Sequence, residues 1–346
     1  MAATPPHPII QAAADIAAQV LHLLSSIFLS PGSSFSLHSL ACAAAIAALF
    51  LIARRLAAKR KTPRAAALWR AMFPRWLWAG ASTRADIGFF LLNTFATASL
   101  IGWGILSAGA ISDGTGAVLT SIVGSALTVT VPGFAASIIL TAALFVAYDF
   151  AYWIDHYLKH KIPVLWEFHR VHHTAEVLSP LTSFRMHPID SLVFYNIVAI
   201  VLGVTHGTGS WTLGDAEPFG LSGNNIILVA FILTTIHLQH SHIDIRFTGR
   251  LGKLILSPAH HQIHHSIDSA HFDSNLGSCL AVWDWMFGTL MLPDEIDGKL
   301  TFGADVEDDR YAPHTMAGSL AWPFVRAVRR LMPRKASSTQ IYDALG

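Results

Sequence analysis

The chain has 346 residues, 53% of them hydrophobic and only 13% charged, against roughly 25% charged in an ordinary soluble domain. With a mean hydropathy of +0.47 it reads as a membrane protein. A formal net charge of +1 gives no case for nucleic acid or an acidic substrate. Two cysteines, Cys42 and Cys279, exclude a disulfide framework, and there is no C-x-x-C motif, so any metal is held by nitrogen and oxygen.

In chain order, residues 1–34 open without a charged n-region and do not read as a cleaved signal peptide. Pro5, Pro6 and the turn near Pro31 mark a loose N-terminus. A crossing needs roughly 20 mainly apolar residues. Residues 37–53 qualify and run into Arg54, Arg55, Lys59, Arg60, Lys61 and Arg64, a basic stretch expected in the cytoplasm. Residues 86–110 lead back out, entered past Trp69, Trp76 and Trp78. Residues 133–153 come in, 189–204 lead out and 225–238 lead in, the last two on the short side. Residues 117–131 are apolar but broken by Gly124 and so suit the interface.

Following those crossings, three histidine clusters emerge on one side: His156 and His160; His169, His172 and His173; His261, His264 and His265. The spacings are H-x-x-x-H and twice H-x-x-H-H, and residues three and four apart share a helix face. Each cluster therefore aims two or three imidazoles at one point. Eight imidazoles are too many for one ion that must also bind a reactant, so two metals follow. Iron suits dioxygen chemistry at such a site; zinc satisfies the same ligands without it, and the spacing does not choose between them.

Residues 148–153 with His156 and His160, then Pro163, Trp166 and His169-Arg170-Val171-His172-His173, resemble the first two boxes of the fatty acid hydroxylase and sterol desaturase superfamily of integral-membrane di-iron enzymes. Phe184-Arg185-Met186-His187-Pro188 is similar to that family's His-Pro element, and Gln239-His240-Ser241 to its intermediate histidine. His261-Gln262-Ile263-His264-His265 resembles the third box, and Asn275-Leu276-Gly277 with residues 283–289 the C-terminal signature. The resemblance implies an all-α bundle of about four to five spans, multi-pass in a membrane such as the bacterial inner membrane, with a cytoplasmic helical cap carrying the dimetal site. It implies that the eight box histidines hold two irons, with His240 a ninth ligand and His187 a further candidate. Asp190 stands where glutamate is common and Thr174 where serine is, which bears only on how the imidazoles are oriented.

The implied activity is hydroxylation or desaturation of a lipid C–H bond, on a sterol, fatty acyl or sphingoid-type substrate, with dioxygen and electrons from a separate reductase. No haem, flavin or iron–sulfur segment is visible to supply them. A non-redox metal-binding or metal-transport protein is the alternative. Residues 1–132 read as an N-terminal membrane segment, 133–295 as the catalytic domain and 296–346 as a cytoplasmic tail. Arg54 to Arg64, or residues 326–335, suit an acidic electron donor or anionic lipid headgroups. Among other residues, Asp149, Asp155, Asp244 and Asp268 read either as interfacial charges, which is favoured, or as orienting imidazole N–H groups, and His260 and His271 are divided between that second role and the surface. His237 and His242 read as structural or tunnel-lining, and His206 as the outer end of a span.

Overall fold

The computed structural model describes residues 8–125, 131–296, 298–304 and 312–332. Among these the fold is helical apart from one two-residue hairpin, in which β1 (Gly220–Leu221) pairs antiparallel with β2 (Asn224–Asn225). Five helical segments are long and apolar enough to cross a membrane: Ile10–Phe28, Leu37–Ala57, Thr97–Val123, Gly133–Lys161 and Pro188–Leu213.

The first belongs to α1 (Pro8–Phe28), so the chain is helical from Pro8 onward; Pro5 and Pro6 lie outside the described residues. The second is α2 (Leu37–Ala57), which starts where the Ser36 side chain accepts from the Ser39 N–H. It ends at Arg54 and Arg55, whose charge suits the negative end of the helix dipole. Two short helices follow, α3 (Ala65–Met72) and α4 (Trp76–Ala79).

The expected single crossing at 86–110 is not one helix. It is divided among α5 (Ala81–Phe95), α6 (Thr97–Ile101), a 3-10 turn at Gly102–Gly104 and α7 (Ala108–Val123). Two glycines around Trp103 weaken helix continuity. Asn196 takes up the freed backbone groups, donating from Nδ2 to Gly104 O at 3.1 Å and accepting from the Leu106 N–H at 3.0 Å. The stretch at 117–131 is helical to Val123, and 126–130 lie outside the described residues.

At 1.5 Å per residue, α8 (Gly133–Lys161) is about 44 Å long, more than a hydrocarbon core of roughly 30 Å. His156 and His160 lie in its last two turns. Next come α9 (Pro163–His173), started by Pro163 at its first position, and α10 (Pro188–Leu213). The apolar stretch 226–239 is short and broken at Thr235 into α11 (Ile226–Thr234) and α12 (Ile236–Gln239). The remaining helices are α13 (Gly249–Gly252), α14 (Pro258–His264), α15 (Val282–Phe287) and α16 (Met316–Leu331). Although α16 falls in the stretch expected to be a tail, it packs against α9. There Arg326 and Arg330 donate to the buried Glu167 carboxylate at 2.7 and 2.9 Å, so neither arginine presents itself simply as a docking charge; 333–335 lie outside the described residues.

Close helix contact is set by small residues where lipid offers no hydrophobic drive between spans. A Cβ on Gly207 of α10 would stand 2.3 Å from Ser112 O of α7, and one on Gly203 would stand 2.8 Å from Ala108 O. Backbone cannot yield as a side-chain tip can. Gly207→Leu is expected to destabilise the protein by about 1–3 kcal/mol, the usual cost of overpacking. Gly116→Ala on the same α7, with nothing within 4 Å of its Cβ, should leave stability unchanged or slightly raised. Thermal unfolding in detergent separates the two.

Candidate metal centre

The short helices α9 and α14, the end of the long α8 and the residue just after α12 bring nine histidines together. They form two adjacent groups, His156, His160, His169, His173 and His264 in one and His172, His240, His261 and His265 in the other, with candidate ligand atoms in each group within 4.8 Å of one another. Both α9 and α14 split their histidines between the groups, His169 and His173 against His172, and His264 against His261 and His265. The i, i+3, i+4 spacing thus feeds two neighbouring points. The groups abut, with the His173 and His265 rings stacked at 4.7 Å.

In four rings of the first group the second ring nitrogen is already committed. His156 Nδ1 contacts Leu276 O at 2.8 Å and His264 Nδ1 contacts Ser274 O at 2.9 Å. Carbonyl oxygens only accept, so both nitrogens carry the proton and both Nε2 atoms keep a lone pair. His160 Nδ1 meets Asp273 Oδ1 at 3.2 Å and His169 Nδ1 meets Asp190 Oδ1 at 3.2 Å. Hydrogen bonds from His160 and Lys161 hold Asp273 down at about 2, so it accepts as a carboxylate. Nε2 of His156, His160 and His264 is then buried with no partner among the described residues.

The second group poses the same demand more sharply. His240 Nε2 stands 3.1 Å from His172 Nε2, 3.2 Å from His265 Nε2 and 2.9 Å from His261 Nε2, and the latter two are 3.1 Å apart. A neutral ring has one N–H and one lone pair, so one Nε2 cannot satisfy three others by hydrogen bonding. Two nitrogens bound to one ion at 2.0–2.1 Å stand about 3 Å apart. The spacing therefore fits a cation at the common point in each group, and the all-nitrogen donors fit iron or zinc.

Burial first, then repulsion from neighbouring imidazoles, holds His172, His173 and His265 well below the usual histidine range, and His261 and His264 likewise. The folded, metal-stripped protein keeps these rings neutral, whereas the unfolded chain protonates them below about pH 6.5. Their contribution is complete above that pH and is lost as pH falls, by up to about 1.4 kcal/mol per pH unit for each such ring. The unfolding temperature of metal-stripped protein should fall steeply from pH 6.5 to 5; a flat profile would contradict the burial.

His187 is not brought to either group. Its Nδ1 accepts from the Ile189 N–H at the start of α10, and its Nε2 bonds Leu320 O of α16. None of the four aspartates weighed as imidazole-orienting bonds an imidazole among the described residues. Asp149 accepts from the Cys279 and Leu280 amides and Trp283, Asp155 pairs with Lys159, Asp244 with Arg246, and Asp268 caps the Ser269–His271 turn. Asp190 and Asp273 take the imidazole contacts instead. His260 is buried and folded back onto Ser257 as part of a capping box, which fixes the start of α14. His237 bonds Ser39, His242 bonds Ala71 O and His206 bonds Ser112, all away from the two groups. Lys159, 2% exposed between Asp155 and Asp190, was not singled out by any sequence pattern.

The C-terminal signature now has a physical role. Asp284 gathers the Leu276 and Gly277 amides, Trp153 and the Thr289 hydroxyl, and so presents Leu276 O to His156. Asn275, at φ 52°, holds His260 O and Met291 O.

Residues 141–289 match the fatty acid hydroxylase family. An ornithine lipid hydroxylase of Rhizobium tropici, OlsE, is 30% identical over 189 residues, covering 53% of this chain and 49% of the relative. An alkylglycerol monooxygenase of Xenopus tropicalis is 27% identical over 162 residues, covering 46% and 31%. A Delta(7)-sterol-C5(6)-desaturase of Nicotiana tabacum is 27% identical over 175 residues, covering 48% and 55%. The chain thus spans about a third to a half of the length of these relatives. No solved structure matches it significantly. The segment that carries the histidine boxes is thus similar to the fatty acid hydroxylase and sterol desaturase superfamily.

Proposed function

We propose that the protein is a membrane-bound di-iron oxygenase that hydroxylates or desaturates a C–H bond of a lipid, taking electrons from a separate reductase. The observation that carries this reading is the pair of abutting, buried, all-imidazole groups at the ends of the apolar helices. Transport needs ionisable ligands along a path through mid-membrane, whereas two adjacent all-imidazole points at the ends of the helices suit a redox-active metal that binds dioxygen. The relatives, lipid hydroxylases and monooxygenases with a sterol desaturase among them, support the same class.

His156, His160, His169, His173 and His264 would hold one iron and His172, His240, His261 and His265 the other. When bound, the two irons supply the four-electron reduction of dioxygen at the substrate carbon. In hydroxylation the C–H bond is replaced by C–OH and the second oxygen leaves as water, with two electrons and two protons from outside. In desaturation two hydrogens leave the substrate and, with the same two electrons and two protons from outside, both oxygens become water. The protein's part is to keep the Nδ1 protons of His156 and His264 on backbone carbonyls, so that Nε2 faces inward. It also buries the donors, which limits loss of the oxidant to water.

The site is read as facing the cytoplasm, since α2 ends in the basic stretch 54–64. Residues 133–295 are read as the catalytic unit. The test is lipid profiling of a host expressing the protein under 18O2. A lipid that gains one 18O atom, or loses two hydrogens, only in the expressing cells supports the reading. An unchanged lipid profile with transported or merely bound metal supports the non-redox alternative.

A further inference from the structure

We propose that α13 and α15, both far too short to cross a membrane, form a shallow wedge that dips into the bilayer beside α8, seated among the acyl chains and headgroups of anionic phospholipids. The two helices are joined side by side. The Leu256 N–H donates to Cys279 O at 2.9 Å and the Ala281 N–H to Leu254 O at 3.0 Å, so the residues after α13 pair with the stretch that leads into α15. Six apolar side chains stand exposed on this unit, Leu251, Leu254, Ile255, Trp285, Met286 and Phe287, the last three at 63, 62 and 54%. Water is a poor solvent for such a surface, and lipid is a good one.

The depth of the wedge is set by α8. Asp149 follows Gly133, the first residue of α8, by about 24 Å of helix, and Trp153 follows it by about 30 Å. A hydrocarbon core of roughly 30 Å entered at Gly133 extends to about Trp153, and tilt carries it further along the helix. Both residues hold the wedge. The Asp149 carboxylate accepts from the Cys279 and Leu280 amides at 2.9 and 3.1 Å and from Trp283 Nε1 at 3.0 Å. Trp153 donates to Asp284, and its ring stacks on Phe287 with centroids 4.4 Å apart. A carboxylate on a span needs such donors. Satisfying Asp149 therefore brings residues 279–283 to the level of the apolar layer, and the outer face of α15 meets lipid.

The charges agree with that depth. Asp284, the one acid of α15, is fully buried, and no Asp or Glu lies between Asp244 and Asp268. Arg250 on α13 and Lys253 just after it are exposed. Cations flanking an apolar face that carries tryptophan suit the boundary between acyl chains and anionic headgroups. Leu276, whose carbonyl holds His156, precedes the paired stretch by only a few residues, so the wedge also keeps the first histidine group near the lipid surface.

The test places a nitroxide on full-length protein in vesicles of phosphatidylethanolamine and phosphatidylglycerol, at Trp285→Cys or Met286→Cys. Ile138→Cys on the exposed face of α8 and the exposed Lys299→Cys are the lipid and water references, all on a Cys42→Ser, Cys279→Ser background. Collisions with oxygen, which concentrates in lipid, are compared with those of a nickel chelate, which stays in water. Both wedge labels should follow the Ile138 label, with an oxygen-to-nickel ratio several-fold above that of the Lys299 label and metal content at the parent level. Two adjacent positions are used so that the depth is still read if one variant fails to keep its metal. Nickel collisions at the Lys299 level put the face in water, and protection from both reagents puts protein on it; either result overturns the proposal. Both leave the oxygenase reading standing, since that rests on the 18O experiment.

Discussion

Lys159→Ala is expected to lower stability by about 3–5 kcal/mol, the usual result of breaking a buried ion pair from one side. The side chain is 2% exposed, its Nζ lies 2.7 Å from Asp155 Oδ2 and 3.0 Å from Asp190 Oδ1, and it also donates to Asp190 O at 3.1 Å. Removing it leaves two carboxylates buried side by side without a cation. Asp190 is also the acceptor for His169 Nδ1, so the same substitution loosens a ring of the first group. Two readouts should therefore fall together, unfolding temperature in detergent and metal bound per chain. A neutral replacement of all three members, Lys159→Met with Asp155→Asn and Asp190→Asn, should regain much of the stability but not the metal, since the His169 acceptor is weakened. An unchanged unfolding temperature in Lys159→Ala would contradict the network.

The second large effect is expected at Asp284. It is fully buried and accepts from Leu276 N–H at 2.8 Å, Gly277 N–H at 2.9 Å, Trp153 Nε1 at 3.3 Å and Thr289 Oγ1 at 2.6 Å. Asp284→Ala strands four donors, each costing about 1–3 kcal/mol when left buried and unpaired. Against a total stability of about 5–15 kcal/mol, that is enough to prevent accumulation of folded protein. Asp284→Asn keeps the shape and part of the acceptor capacity, so it should fold at reduced yield. Expression level and a size-exclusion profile distinguish the two variants.

What the sequence discloses and what it conceals divide along the range of the interaction. Spacings such as His169, His172 and His173 are local, and a helix turns them into one face whatever surrounds it. Reading the basic stretch after residue 53 and counting crossings brings the distant boxes to one side, and the fold does join His172 to His261 and His265. The bonds that orient the rings are not local. Asp273 reaches His160 across 113 positions and Leu276 O reaches His156 across 120. Asp149 and Asp155, which precede His156 in sequence, do not orient its ring because on α8 they meet other partners. His187 was legible as a helix start but not as a ring held by two backbone groups. The break at Gly102–Gly104 and the span-length helix α1 were missed because hydropathy averages over a glycine turn and because α1 is only modestly apolar.

The most direct test of the account is elemental analysis of the purified protein beside His172→Ala and His264→Ala. Each variant removes one donor, one from either group. The account predicts close to two irons per chain in the parent and a sharp fall in both variants. Absence of metal in the parent, or metal content untouched by both substitutions, would contradict it.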